Sequence, residues 1–278
     1  MKRVHHVKAP YRLLFAALLF AAQGHAEAQA RAQPQAIPQT APYVPIPGGV
    51  FASVIASDAG ADDVKVDDFQ LRSTPVTVAE FYAFVERHPQ WRPGNAPTVF
   101  VDTASYLPEW KLQAVLDAAE AMRPVTQVSW FAARAYCEHE NARLPTWTEW
   151  EYVAAADTTR RDARGDALWR AGILSWTTRP ASAGAPAVGG AANVYGVRDM
   201  HGLVWEWVDD FNALLVDADS RSGDDADRLK FCGAGAINLK GRQNYATLMR
   251  VALLSSLRAV DSTASLGFRC ARSLVSSK

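Results

Sequence analysis

Cysteine and histidine are scarce in this chain of 278 residues, and the shortage removes the commonest metal centres from consideration. The only cysteines are Cys137, Cys232 and Cys270, an odd number that permits one intramolecular disulfide at most and leaves a thiol over. The histidines are His5, His6, His25, His88, His139 and His201, and none falls in an HxH, HxxxH or HExxH spacing. Sequence spacing therefore gives no support to a zinc site or a two-histidine-one-carboxylate iron site. An excess of one charge is also missing: 29 Lys and Arg balance 29 Asp and Glu. Without a basic stripe to neutralise phosphates, nucleic acid is excluded as a partner. Long apolar runs are absent as well, since the stretch from Leu13 to Ala22 is too short to span a bilayer and no later one is longer. No internal repeat is evident.

What is present is enough apolar residue, 49% of the chain, to bury a sizeable core. Lys2, Arg3, Lys8 and Arg12 precede the short apolar run, and small residues follow it, so residues 1–28 read as a cleavable signal peptide. Small residues at minus three and minus one allow cleavage after Ala26, Ala28 or Ala30; an uncleaved anchor is the alternative. The expected location is periplasmic or secreted, with no membrane contact after cleavage. All three cysteines would then meet an oxidising compartment. Residues 29–42, rich in Ala, Gln and Pro, read as a disordered linker. One domain is expected over residues 43–272, followed by a tail at 273–278.

Within the domain, Val44 to Phe51 reads as a short strand entering through a Pro/Gly turn. Val64 to Leu71 alternates with period two like a half-buried strand. Thr77 and Glu80 form a capping box for a helix that places Val78, Phe81, Tyr82 and Val85 on one face and stops at His88-Pro89. A short helix is expected near Leu112 to Met122. Ser129 caps another helix with Trp130, Ala133 and Cys137 along one stripe, and Thr146 with Glu149 opens a third that buries Trp150 and Val153. The charges from Asp157 to Asp166 read as a solvated turn, as does the Asp-rich stretch from Asp217 to Asp227; Ala181 to Ala192 reads as a loop. The fold class is α+β with little regular secondary structure.

Several separated motifs occur in one order: Pro47-Gly48-Gly49-Val50-Phe51, Pro124-Val125-Thr126-Gln127-Val128-Ser129-Trp130, Arg143-Leu144-Pro145-Thr146-Trp147-Thr148-Glu149-Trp150-Glu151, Asn193-Val194-Tyr195-Gly196, Gly202-Leu203-Val204-Trp205-Glu206-Trp207 and Gly267-Phe268-Arg269-Cys270. In that order the chain resembles the formylglycine-generating enzyme, or sulfatase-modifying factor, family from about Tyr43 to Arg272. The resemblance implies a C-type-lectin-like fold and a disulfide between Cys137 and Cys270, which leaves Cys232 as the odd thiol. Trp130, Trp150, Trp205 and Trp207 are expected as core aromatics. Glu151, Glu206, Arg143 and Arg269 are expected in buried networks that hold irregular backbone.

Two departures bear on chemistry. Aerobic members of the family carry two cysteines on one segment shortly before the terminal Gly-Phe-Arg-Cys run, where paired thiolates hold copper(I). Here residues 234–265 contain no cysteine, and Cys232 matches neither position. The family's structural calcium draws on an Asn where this chain has Leu203, so only Asn193 and Asp199 stand as calcium candidates. Neither calcium nor copper has a full ligand set in the sequence. The reading that follows is an exported accessory protein on this scaffold, without the copper oxidase, acting on a periplasmic protein client. The wording around His201 to Trp207 and Phe231 to Gly235 resembles a branch that accompanies copper nitrite reductase. Two alternatives stand beside it. One is an oxidoreductase with altered metal or thiol chemistry at Cys232, with His201 or Glu206; the other is a lectin-like binding domain.

Overall fold

Residues 43–52 and 63–72 run antiparallel to one another, and both arms break at the same height. In the computed structural model, which describes residues 40–55, 63–108, 117–177, 185–214 and 245–274, β1 (Tyr43–Ile46) pairs antiparallel with β4 (Phe69–Arg72), and β2 (Gly49–Ala52) with β3 (Asp63–Val66). The two strands expected at 44–51 and 64–71 are thus four, interrupted at Pro47-Gly48 and at Asp67-Asp68 opposite. The interruption is held by the Gly48 amide, which donates to Asp68 Oδ1 at 2.7 Å. Only glycine fits there, since a Cβ would lie 2.3 Å from the Val66 carbonyl oxygen.

β4 is the middle strand of a three-stranded sheet, ordered β1-β4-β7, whose third member is β7 (Ala271–Ser273). The ends of the domain therefore meet in one sheet. Ala41 donates its amide to Glu80 Oε1 at 3.2 Å, the Pro42 carbonyl accepts from the Ser73 amide at 2.9 Å, and β7 continues through Ser273.

Helix α1 (Val78–Arg87) carries the full capping box of Thr77 and Glu80. Its buried face is Glu80, Phe81, Phe84 and Val85 rather than one containing Tyr82. The reason is electrostatic: Arg72 is fully buried, and Glu80 turns inward to meet its guanidinium at 2.6 Å. Glu140 takes the other arm of Arg72 at 2.6 Å and also accepts the Tyr43 hydroxyl at 2.6 Å. A buried charge needs such partners, because desolvation alone would be prohibitive. After a 3-10 turn at Pro89–Trp91 comes α2 (Ala118–Ala121), capped by Asp117; the rest of the helix expected from Leu112 lies outside the described residues.

Ser129 caps α3 (Trp130–His139) through the Ala132 amide, and Thr146 caps α4 (Trp147–Ala154) with the Glu149 box complete. The buried stripe of α3 is Ala132, Ala133, Tyr136 and Cys137; Trp130 is half-buried and donates its indole N–H to the Val208 carbonyl at 3.0 Å. Trp205 is also half-buried, against Trp176, whereas Trp150 and Trp207 lie in the core. Arg143 forks onto both Glu149 oxygens, at 2.7 and 2.6 Å. Glu151 is buried on Ser53 Oγ and the Val54 amide, and burial raises its pKa.

A disulfide joins Cys137 of α3 to Cys270, across 133 residues of sequence. Two helices were not foreseen: α5 (Ala167–Thr177) and α6 (Tyr245–Ser255). Between them β5 (Trp205–Trp207) pairs in parallel with β6 (Leu266–Phe268). Gly267 in the middle of β6 is pressed against the Val125 carbonyl, where a Cβ would come within 2.4 Å of the oxygen. Gly267→Ala is expected to cost about 1–3 kcal/mol, the usual penalty for overpacking a fitted core. Urea unfolding of the variant checks this; an unchanged midpoint would mean the β5–β6 pair can move aside. No helix of the described residues is long and apolar enough to cross a membrane.

Candidate functional site

Strand β5 delivers Glu206 to the centre of the domain, and everything around it is chosen by that charge. Glu206 and Arg269 are both fully buried, and the pair is bidentate: Arg269 Nε donates to Oε2 and Nη2 to Oε1, each at 2.8 Å. The Trp150 indole adds a third N–H to Oε2 at 2.9 Å. The remaining N–H capacity of Arg269 goes to the carbonyls of Arg72, Arg198 and Asp199, at 3.3, 3.1 and 3.1 Å. Arg269 thus ties the sheet, the 198–199 loop and β5 together.

A second guanidinium, Arg250 of α6, lies over the Trp150 ring with its central carbon 3.4 Å from the ring centroid. It donates to the Glu206 carbonyl oxygen. Burial pushes its pKa down to about 9, against the pull of Glu206. One buried carboxylate therefore faces two buried guanidiniums. The cation-π contact with Trp150 replaces part of the hydration that Arg250 gives up. The sequence signal for Arg250 is a lone cation within the otherwise uncharged run Tyr245-Ala246-Thr247-Leu248-Met249-Arg250-Val251-Ala252-Leu253-Leu254.

His201 sits in front of this network, half-buried between indole edges: Trp150 at 5.8 Å and Trp169 of α5 at 5.5 Å between centroids. Its Nε2 donates to the Ala154 carbonyl at 2.8 Å, which places the ring proton on Nε2 and leaves Nδ1 as the acceptor. Desolvation, reinforced by Arg250 and Arg269 and opposed by the Ala154 carbonyl and Glu206, pushes its pKa down to about 4. His201 is a neutral imidazole at pH 7. In the unfolded chain it would take a proton near pH 6.5, well before the folded chain does. Its contribution to stability is accordingly intact above pH 6.5 and is lost as the pH falls toward 4, by at most about 1.4 kcal/mol per pH unit. In His201→Gln that part of the pH dependence is expected to vanish from urea unfolding curves; parallel curves for both proteins between pH 6.5 and 4 would refute the assignment.

His201 and Trp169 form one wall of an open cavity of about 460 Å³, whose rim includes Asp157, Arg160, Asn193 and Asp199. The rim is internally paired. Arg160 holds Asp157 at 2.8 and 2.5 Å and Asp166 at 3.0 Å, so the turn from Asp157 to Asp166 is solvated but fixed. The Arg160 bonds, with backbone amides, hold the Asp157 carboxyl well below its ordinary range. Asp166 also accepts the amides of Leu168 and Trp169, and so starts α5 under the cavity.

The calcium candidates stand on the same rim with other work to do. Asn193 Oδ1 accepts the amides of Tyr195 and Val197 at 3.0 and 3.1 Å, and its Nδ2 donates to the Val153 carbonyl at 3.0 Å. Asp199 accepts the amides of Gly189 and Gly190 at 2.7 and 3.0 Å. Backbone amides donate to these oxygens, so in this structure they hold loop backbone. No copper pair stands among the described residues, where the two cysteines are joined to each other. Cys232 lies outside the described residues. Of the catalytic candidates, His201 and Glu206 are brought close through Trp150 without touching, and Glu206 is fully engaged by its three donors.

Comparison with known proteins gives a consistent family. A profile of the sulfatase-modifying factor enzyme 1-like domain matches residues 28–274. A formylglycine-generating enzyme of Streptomyces coelicolor is 36% identical over 169 residues, covering 53% of this chain and 52% of that one. A hercynine oxygenase of Mycolicibacterium smegmatis is 30% identical over 191 residues, covering 58% and 44%. The chain thus spans about half the length of these curated relatives. The solved structure of PvdO from Pseudomonas aeruginosa is 19% identical, with a TM-score of 0.44 over 84% of this chain and 94% of that one.

Proposed function

Since this chain belongs to the family of sulfatase-modifying factor enzyme 1-like domains, we propose that it is an exported accessory protein that uses the family's scaffold for binding rather than for cysteine oxidation. The observation that carries this reading is the cysteine inventory. Residues 234–265 hold no cysteine, and Cys137 and Cys270 are tied to each other in a buried disulfide. A thiolate pair for copper(I) needs two free, adjacent cysteines. This chain has one thiol left over.

The binding face in this reading is the cavity walled by His201 and Trp169. A neutral imidazole, an indole and a rim of fixed carboxylates suit recognition of a polar protein segment, because every charged group there is already oriented. The client is a periplasmic protein, with copper nitrite reductase first among the candidates. In a producing strain, deletion of the gene is expected to lower the copper content of purified nitrite reductase, and restoring the wild-type gene but not a Trp169→Ala version is expected to recover it. Full copper loading in the deletion strain would remove this client.

A further inference from the structure

Two histidines that are 51 positions apart in sequence meet on the surface, away from the cavity. His88 caps the carboxyl end of α1 and His139 is the last residue of α3. Their facing nitrogens, His88 Nε2 and His139 Nδ1, are 3.1 Å apart, with ring centroids 4.7 Å apart. The Phe84 ring packs against both imidazoles, at 4.7 Å from His88 and 5.6 Å from His139 between centroids. His88 is half-buried and His139 exposed, so one ring is held and the other is open to solvent.

We propose that His88 and His139 form a two-imidazole site for a late divalent transition metal, with copper(II) bound in preference to nickel(II) and zinc(II). The spacing carries the proposal. Two nitrogens at metal–nitrogen distances of about 2.0–2.1 Å in neighbouring positions of a square or tetrahedral ion lie about 2.8–3.4 Å apart. The 3.1 Å separation falls in that window. A metal would replace the proton the two nitrogens now share, and a turn of the exposed His139 ring would bring both lone pairs to one point. Imidazole is a preferred ligand of these ions, and the order copper above nickel and zinc is the general one for nitrogen donors. No third His, Cys, Asp or Glu joins the pair among the described residues, so water or a partner's side chain would complete the coordination. The neighbouring Arg87 opposes a cation here, but it is exposed and its field is screened at physiological salt.

The test is titration of the untagged full chain with copper(II) chloride, in a His5→Ala/His6→Ala background so that the adjacent histidines near the start do not compete. His139→Ala and His88→Ala are each expected to weaken binding by at least about tenfold, since even loss of a group that only supports a ligand costs tenfold or more. Electron paramagnetic resonance of the background protein provides a readout that needs no substitution at the site: two imidazole nitrogens on the bound copper(II) are expected. Equal copper affinity with and without His139, or a spectrum with fewer than two nitrogens, would overturn the proposal.

Discussion

Glu206→Gln is expected to cost about 3–5 kcal/mol of stability, the scale for breaking a buried ion pair from one side. The substitution keeps the shape of the side chain and removes its charge. It leaves Arg269 and Arg250, both buried, with no carboxylate within their network. Distance is not what makes the effect large. Arg134 and Glu138 are also 2.8 Å apart, but both are more than half exposed, and Arg134→Ala is expected to change stability by less than about 0.5 kcal/mol. Comparing the two variants by urea unfolding isolates burial as the cause. A loss below about 1 kcal/mol for Glu206→Gln would mean that water reaches this network.

The second large effect concerns the disulfide. Cys137 and Cys270 close a loop of 133 residues, and a link over that length restricts the unfolded chain strongly. Removing it in Cys137→Ala/Cys270→Ala is expected to cost about 2–5 kcal/mol. Both residues are fully buried, so the double alanine variant also loses packing; chemical reduction of the wild type separates the two contributions. The linkage sits beside the three-stranded sheet, where the Arg72 amide donates to the Cys270 carbonyl at 2.9 Å. Loss of the bridge should therefore loosen β4 and β7 before it affects the β2–β3 ribbon, a difference that hydrogen exchange can resolve. Identical urea midpoints for oxidised wild type and the double variant would show that the bridge contributes nothing.

The parts of this fold that were legible in the sequence are those governed by contacts three or four residues apart. Thr77, Ser129 and Thr146 announce their helices because capping chemistry is local. Helix α5 was missed for an instructive reason: its cap, Asp166, stands in a run of charges and reads there as part of a solvated turn. The rotated face of α1 was hidden because Glu80 turns inward for Arg72, a strand residue that no periodicity of the helix encodes. The four short strands in place of two reflect a kink that both arms share, visible only once their register is known.

At the candidate site the same division holds. The need of irregular backbone for polar partners placed Glu206 and Arg269 in a buried network, family resemblance paired Cys137 with Cys270, and the structure contains both. Arg250, Trp169 and the Arg160 collar come from segments whose role depends on tertiary contact alone. The same is true of His88 and His139, which sequence spacing set apart and the packing of α1 against α3 brings to 3.1 Å. The resulting picture is a C-type-lectin-like α+β scaffold with a neutral histidine at its cavity.

Whether this scaffold works without the family's cysteine oxidation is decided by incubating the purified full chain with copper, oxygen and a cysteine-containing sulfatase peptide, and weighing the peptide by mass spectrometry. The peptide is expected to return with its cysteine intact, whereas a formylglycine-generating enzyme run alongside converts it. Formylglycine formed by this chain at a rate comparable with that control would make it a cysteine oxidase after all.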